Sequence, residues 1–281
     1  MKKIGILYIC TGDYVVFWED FYNTFSKHFC RNSELHFFVF SDKAIDFSGK
    51  NNIHYYKIEH QPWPLITLMR YHTFCNVEED LKICDYLFFF NSNLQCVADI
   101  EESEVLPSEE EKLVFISHAG YLNTRKDKLP YERNRKSSAY IPYNCGGGYI
   151  YGGGNGGITT EFIKMSHILK NEIEYDLKNN YIALFHDESQ INHYKQLISG
   201  YKLLNPGYLY PVGFDVPYEK KIIGVSKEAK FDINSFRKTK VKRRNFVVRV
   251  FRRIGRPLSH YLKCICAYIL SEKIVDKLEN N

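Results

Sequence analysis

The chain has 281 residues, 44% of them hydrophobic and 16% aromatic, with 22 Tyr and 20 Phe, which suits one large domain, or one domain with a tail, and a sizeable core. Its net charge of +5 is concentrated: residues 233–271 hold eleven Lys or Arg and no Asp or Glu, so the remaining 27 cations face 33 acids, a balance of −6, and nucleic-acid binding by the main body is not predicted. Eight cysteines at 10, 30, 75, 84, 96, 145, 264 and 266 form no CxxC pair, which argues against a zinc ribbon, a redox motif or a disulfide scaffold and points to reduced thiols in a cytoplasm.

Lys2 and Lys3 precede an apolar run, but residues 4–10 are short for a secretory signal and lead into Thr11-Gly12-Asp13, and no stretch approaches the roughly 20 apolar residues of a membrane span. Residues 3–10 read as a first strand and 11–14 as the turn at its end. Residues 15–29 carry apolar side chains at 17, 18, 21, 22, 25 and 29, a helical stripe. Strands are predicted at 36–40 and 53–58, a loop at 61–64 and a helix over 65–82. The run Tyr86-Leu87-Phe88-Phe89-Phe90 reads as a strand buried on both faces, and it stops at Asn91-Ser92-Asn93. Residues two apart on an extended chain point the same way. Asn91 and Asn93 are therefore expected beyond the strand's carboxyl end, where ligands of open α/β sheets sit; a plain turn is the alternative, since Asn and Ser favour turns.

Residues 98–111 are acidic and read as surface. A strand at 113–117 ends at His118, and the polar, basic stretch 120–140 reads as an excursion over the site. Residues 146–157 contain eight glycines in twelve, with Tyr149-Ile150-Tyr151 as a short strand among them. No GK[ST] follows, so this is no P-loop; the glycines form either a flexible loop or a place where a ligand approaches backbone. A helix is predicted over 159–178. Leu184 and Phe185 then run into His186-Asp187-Glu188-Ser189-Gln190-Ile191-Asn192. Residues 201–216 are rich in Pro, Gly and Tyr, and 220–225 read as a last strand. Strands alternating with helices indicate an α/β domain with a parallel or mixed sheet over residues 1–230, followed by a tail, 231–281.

Two features carry chemistry. In His186-Asp187-Glu188-Ser189, Asp187 suits a helix N-cap, while a carboxylate beside a reacting centre is what glycosyl chemistry requires; a metal site from three adjacent residues is disfavoured. Arg70 and Lys227 are lone cations whose interest depends on whether a diphosphate is bound.

Together these pieces resemble glycosyltransferase family 6, the family of the blood-group A and B transferases and the α-1,3-galactosyltransferase. The resemblance runs from about residue 4 to 227 and follows the family's order: Tyr14-Val15-Val16-Phe17, then Leu68-Met69-Arg70, Tyr131-Glu132-Arg133 with Ala139-Tyr140-Ile141-Pro142, Tyr149-Ile150-Tyr151-Gly152-Gly153 with Gly156-Gly157, and the HDES motif. It implies a GT-A type nucleotide-sugar-binding fold with a mixed, mainly parallel sheet. The reaction implied moves N-acetylgalactosamine or galactose from UDP to the 3-hydroxyl of a β-galactoside, often 2-fucosylated, with retention. Donor contacts are implied at Ile9, Thr11, Tyr14, Arg70, Asn91, Asn93, Tyr151, Gly152, Gly153, Asp187 and Lys227. Acceptor contacts are implied at His118, Phe185, His186 and Glu188, with Glu188 also the catalytic carboxylate. Where animal members carry a DxD motif for Mn²⁺, this chain has Asn91 and Asn93, whose neutral amides lack the charge a hard cation prefers. That resembles the bacterial, metal-independent branch, so no cofactor is expected, and no N-terminal anchor is expected either. Gly153 is expected to leave room for a 2-acetamido group, slightly favouring UDP-N-acetylgalactosamine unless Tyr151 fills the space. The alternative reading is a non-catalytic sugar- or nucleotide-binding protein on the same fold.

The tail places Phe246, Val247, Val250, Phe251 and Ile254 on one helical face and six arginines, 243, 244, 249, 252, 253 and 256, largely elsewhere. A basic amphipathic helix of this kind can lie on an anionic membrane, which would hold the protein at the inner face of the cell membrane beside lipid-linked glycans; a helix packed on the domain is the alternative.

Overall fold

The apolar runs fold as strands: β1 (Lys3–Ile9), β2 (Glu34–Ser41), β3 (Ile53–Lys57), β4 (Tyr86–Phe90), β5 (Leu94–Cys96), β6 (Leu113–Ser117), β7 (Ile150–Ile158), β8 (Lys202–Leu204) and β9 (Ile222–Gly224). The computed structural model describes residues 1–227 and 230; the predicted tail, its helical stripe and its six arginines lie outside the described residues. Seven strands form one sheet in the order β3-β2-β1-β4-β7-β6-β8, while β5 and β9 pair antiparallel on their own. Every neighbouring pair in the large sheet is parallel except those of β7, which runs antiparallel to both β4 and β6. The fold is thus the mixed, mainly parallel α/β sheet expected.

Strand β4 shows why the sheet is covered on both faces. Phe88 and Phe90 enter one core cluster, Leu87 and Phe89 the other, as the period of two requires. None of the four is more than 3% exposed, and each buried ring contributes about 1.5–3 kcal/mol. Helix α1 (Trp18–His28) covers the Phe88 face through Trp18, Phe21 and Phe25. The other face is covered by α3 (Arg70–Cys75), α6 (Thr159–Lys178) and α7 (Asp187–Leu197), through Tyr71, Phe74, Phe162, Met165, Leu169 and Ile191.

Several expectations are corrected. The helix predicted over 15–29 begins instead as a 3-10 turn, Gly12–Phe17, because Gly12 takes a positive φ of 59° and its N–H is tied to Asp42 Oδ1 at 2.7 Å. The single helix predicted over 65–82 is three short ones, α2 (Leu65–Leu68), α3 and α4 (Glu78–Leu81), separated at Met69 and Val77, which leave helical backbone values. Leu68, Tyr71, Phe74 and Leu81 are all buried; their spacing drifts around a continuous helix, and the breaks return each one to the core. The 98–111 stretch holds one helical turn, α5 (Glu102–Val105), and buries Ile100, Val105 and Leu106 beneath its acids. The excursion at 120–140 is anchored as well, with Leu129, Tyr131 and Glu132 buried.

The largest correction concerns the glycines. They are neither loop nor ligand cradle along most of their length: β7 runs nine residues through them at the middle of the sheet. Their close approach is to protein. A Cβ on Gly156 would lie 2.3 Å from Phe88 Cδ1 and 2.7 Å from Leu87 O, and one on Gly157 would lie 2.6 Å from Lys112 O. The Phe88 ring leaves room only for backbone at Gly156, and the start of β6 does the same at Gly157.

Candidate active site

The carboxyl ends of β1, β4 and β6 meet the first half of β7 at one edge of the sheet, because Phe90 pairs with Gly154 and Ser117 with Ile150. Asn91 N–H continues the ladder to Gly153 O at 2.9 Å. Beyond this edge the segment after α6 delivers His186 and α7. Glu132, 3% exposed, anchors that segment by accepting from Leu184 N at 2.7 Å while it also accepts from Asn134 N at 2.7 Å. Ser189 Oγ accepts from Phe185 N at 2.9 Å. The chain then turns sharply: His186 has φ 53° and ψ −127°, a region that costs a non-glycine residue of order 1–3 kcal/mol. Asp187 is therefore the first helical residue rather than the N-cap, and no side chain caps the helix.

The turn places two adjacent acids differently. Asp187 is 2% exposed and its Oδ2 lies 3.1 Å from Arg70 Nη2. Burial pushes its carboxyl up to about 6 against the pull of Arg70. Glu188 bends toward β7: its Oε1 accepts from Tyr149 Oη at 2.9 Å and its Oε2 from Gly152 N at 2.8 Å. Burial raises its carboxyl to about 7, an effect moderated by those two donors and by Arg70 and reinforced by Asp187. Burial and the Glu188 charge raise the Tyr149 phenol further above its ordinary value, so it stays a donor. Asn192, one turn after Glu188, exchanges bonds with Ile150, accepting from its N–H at 3.0 Å and donating to its carbonyl at 2.9 Å.

Arg70 does not face an open site. It is 5% exposed, donates to Gly152 O at 2.8 Å and Thr67 O at 3.2 Å, and lies over the Phe89 ring at 4.2 Å. Arg70 thus braces Gly152 and Asp187 from behind. Lys227 stands with its ammonium 4.9 Å from the Tyr14 ring centre. Asn91 and Asn93 have different partners: the Asn93 amide donates to Val225 O at 2.8 Å and so holds the segment that carries Lys227. Asn91 Nδ2 lies against Gly153, 2.6 Å from where a Cβ would stand. Tyr151 Cε1 lies 2.5 Å from the same point, so the room expected at Gly153 is already filled. Thr11 is buried and its hydroxyl meets His60 Nδ1 at 3.1 Å; Ile9 ends β1 at the same edge.

His118 follows β6 and sits among the rings of Tyr121 and Tyr151, 4.8 and 4.9 Å away. Its Nδ1 accepts from Gly120 N at 3.1 Å, which leaves Nε2 as the donor. Burial lowers its pKa to about 4, so it is neutral at ordinary pH. Phe185 is 39% exposed, and the Trp63 ring meets His186 edge-on at 5.0 Å. Tyr149, Asn192, Glu132 and Trp63 were given no site role from the sequence, although the first three lie in the motifs quoted. Of these, only Asn192 carried a local signal, its i+4 spacing from Glu188. Among the described residues no group of three or more His, Cys, Asp or Glu gathers as a metal site.

The site is thus that of an α/β protein with a buried carboxylate held between a helix start and a central strand at the carboxyl edge of the sheet, where His118 and exposed rings also gather. The family model of glycosyltransferase family 6 matches residues 2–238, and the chain belongs to that family. It is 35% identical over 226 residues to the O-antigen biosynthesis glycosyltransferase WbnI of Escherichia coli, covering 80% of this chain and 95% of that protein. It is 26% identical over 215 residues to the rat histo-blood group ABO system transferase 1, covering 74% of this chain and 60% of that one. The globoside α-1,3-N-acetylgalactosaminyltransferase 1 of Gallus gallus is 25% identical over 217 residues, with 74% and 61% covered. Family membership implies a nucleotide-sugar donor and a glycan acceptor.

Proposed function

We propose that the protein is a retaining α-1,3-glycosyltransferase that moves N-acetylgalactosamine or galactose from UDP to a β-galactoside, 2-fucosylated or part of a lipid-linked surface glycan. The observation that carries this reading is Glu188, fixed by Tyr149 Oη and Gly152 N at the carboxyl edge of the sheet. The bond between C1 and the β-phosphate oxygen breaks with its electrons on UDP. Glu188 attacks C1 or stabilises the oxocarbenium ion, and the acceptor hydroxyl adds on the face that UDP leaves, passing its proton to the departing phosphate. Tyr14, Lys227 and Asn91 line the donor side. His118, through Nε2, and Phe185 line the acceptor side. Asn91 and Asn93 support a metal-independent reaction, with the leaving-group charge met by Lys227 and amide donors.

The test is turnover of UDP-N-acetylgalactosamine and UDP-galactose with 2-fucosylated galactosides, in EDTA, by wild type and Glu188→Gln. Wild type should turn over in EDTA and gain little from Mn²⁺, while Glu188→Gln should bind UDP-sugar normally and lose several orders of magnitude in kcat. Binding without turnover by the wild type would instead favour a sugar-binding protein, and EDTA inhibition reversed by Mn²⁺ would refute metal independence.

A further inference from the structure

Helix α7 carries Glu188, Asn192 and Lys195 at i, i+4 and i+7, one face of a helix. All three bond the chain that enters β7. Glu188 takes Tyr149 and Gly152, Asn192 takes both polar groups of Ile150, and Lys195 Nζ donates to Gly147 O at 2.5 Å and Gly148 O at 3.0 Å. A helix usually meets a sheet through an apolar stripe; here a row of hydrogen bonds sets the register, since sliding by one residue would break all of them.

Lys195 is the unexpected member. It is 3% exposed and no charged partner acts on it among the described residues. The groups facing it are the two carbonyls, the Tyr201 ring at 5.3 Å, and Tyr131, whose hydroxyl shares Gly148 O at 2.9 Å. A buried ammonium without counter-charge is unfavourable, and an apolar side chain of the same length would fill the space without that cost. Gly148 has a φ of 60° and Gly146 one of 94°, so this segment is free locally to adopt many conformations and depends on outside contacts for its shape.

We propose that Lys195 is a positioning residue, which fixes Gly147 and Gly148 so that Tyr149 and Gly152 meet both oxygens of Glu188. This rests on the reading of Glu188 as the carboxylate at the reacting centre. Burial lowers the Lys195 pKa to about 8, whereas burial raises both facing phenols, Tyr131 and Tyr201. The group that changes charge near pH 8 is therefore the ammonium, and the neutral amine holds carbonyls more weakly. Activity should fall as pH rises through about 8.

The experiment compares full-length wild type, Lys195→Met, Lys195→Arg and Glu188→Gln by amide hydrogen exchange over residues 147–152 and by kcat and KM against pH. Lys195→Met should exchange about ten-fold faster there. It should also lose roughly ten-fold or more in kcat, with the KM for UDP-sugar within about two-fold of wild type, and show no alkaline limb. Lys195→Arg, which stays protonated, should recover slow exchange and extend activity beyond pH 9. Wild-type exchange or wild-type kcat in Lys195→Met would overturn the proposal, as would an unmoved alkaline limb in Lys195→Arg. Normal turnover by Glu188→Gln would overturn the reading of Glu188 instead, and the exchange data would still report whether the clamp exists.

Discussion

Glu188 and Asp187 are neighbours, both raised by burial, but they face different partners. Glu188 must be ionised to act at C1, and burial holds its carboxyl near 7. The kcat/KM of the wild type should therefore rise with pH through about 7, and a pH–rate profile measured from 5 to 9 checks this. A profile flat from 5 to 7 would exclude it. Stability runs the other way. A carboxyl whose folded pKa is raised stabilises the fold below its unfolded value of 4.5, and that contribution is lost as pH rises through about 7. Glu188→Gln should thus gain melting temperature relative to wild type between pH 5 and 8. Asp187 is balanced by Arg70. Arg70→Met would leave that carboxylate buried without a counter-charge, a loss of about 3–5 kcal/mol that denaturant unfolding would read. Glu188 was legible in the sequence because its motif is local. The burial of Arg70 was not, because its partners Asp187 and Gly152 lie far along the chain and nothing in an isolated Arg says which way it turns.

At the scale of elements, β7 decides the architecture. Glycine is a poor strand former, and eight glycines in twelve residues read naturally as a loop. What makes this stretch a strand is its neighbours: Ile116 and Leu209 leave no space for a Cβ at Gly154, Phe88 none at Gly156 and Lys112 and Leu113 none at Gly157, while antiparallel pairing to β4 and β6 supplies the hydrogen bonds. The strands at 86–90 and 113–117 were legible from their own apolar runs, whereas the strand between them was legible only once both were in place. Gly156→Ala should lower stability by about 1–3 kcal/mol through overpacking against Phe88, seen as a reduced denaturation midpoint. Gly152→Ala acts at the site instead. Its methyl would meet Glu188 Cβ at 2.9 Å and Cα at 3.3 Å, so it should cost kcat more than it costs donor binding. An equal loss in both would mean that Gly152 serves the fold and not the placing of Glu188.

For the whole molecule, alternation of strands and helices revealed the α/β class, but not that β7 enters the sheet between β4 and β6, nor the short β5 and β8, which lack a pattern of their own. The charge distribution sets a negative balance in the rest of the chain against a strongly positive stretch at 233–271. That separation is the basis of the last prediction. Eleven cations and no acid between residues 233 and 271 are more than a helix packed into a core needs, and they suit an anionic lipid surface. Each cation near such a surface adds about 1 kcal/mol, so the six arginines from 243 to 256 together are worth roughly 6 kcal/mol. We propose that they hold the enzyme beside a lipid-linked acceptor. Full-length protein should co-sediment with vesicles containing anionic phospholipid and come off in high salt, because exposed charge pairs are screened. The same chain with all six arginines changed to Gln should stay in the supernatant and keep its turnover of soluble acceptor. Equal pelleting of the two proteins, or of neither, would remove the tail from any membrane role, and lost turnover in the changed chain would mean that the tail serves the domain instead.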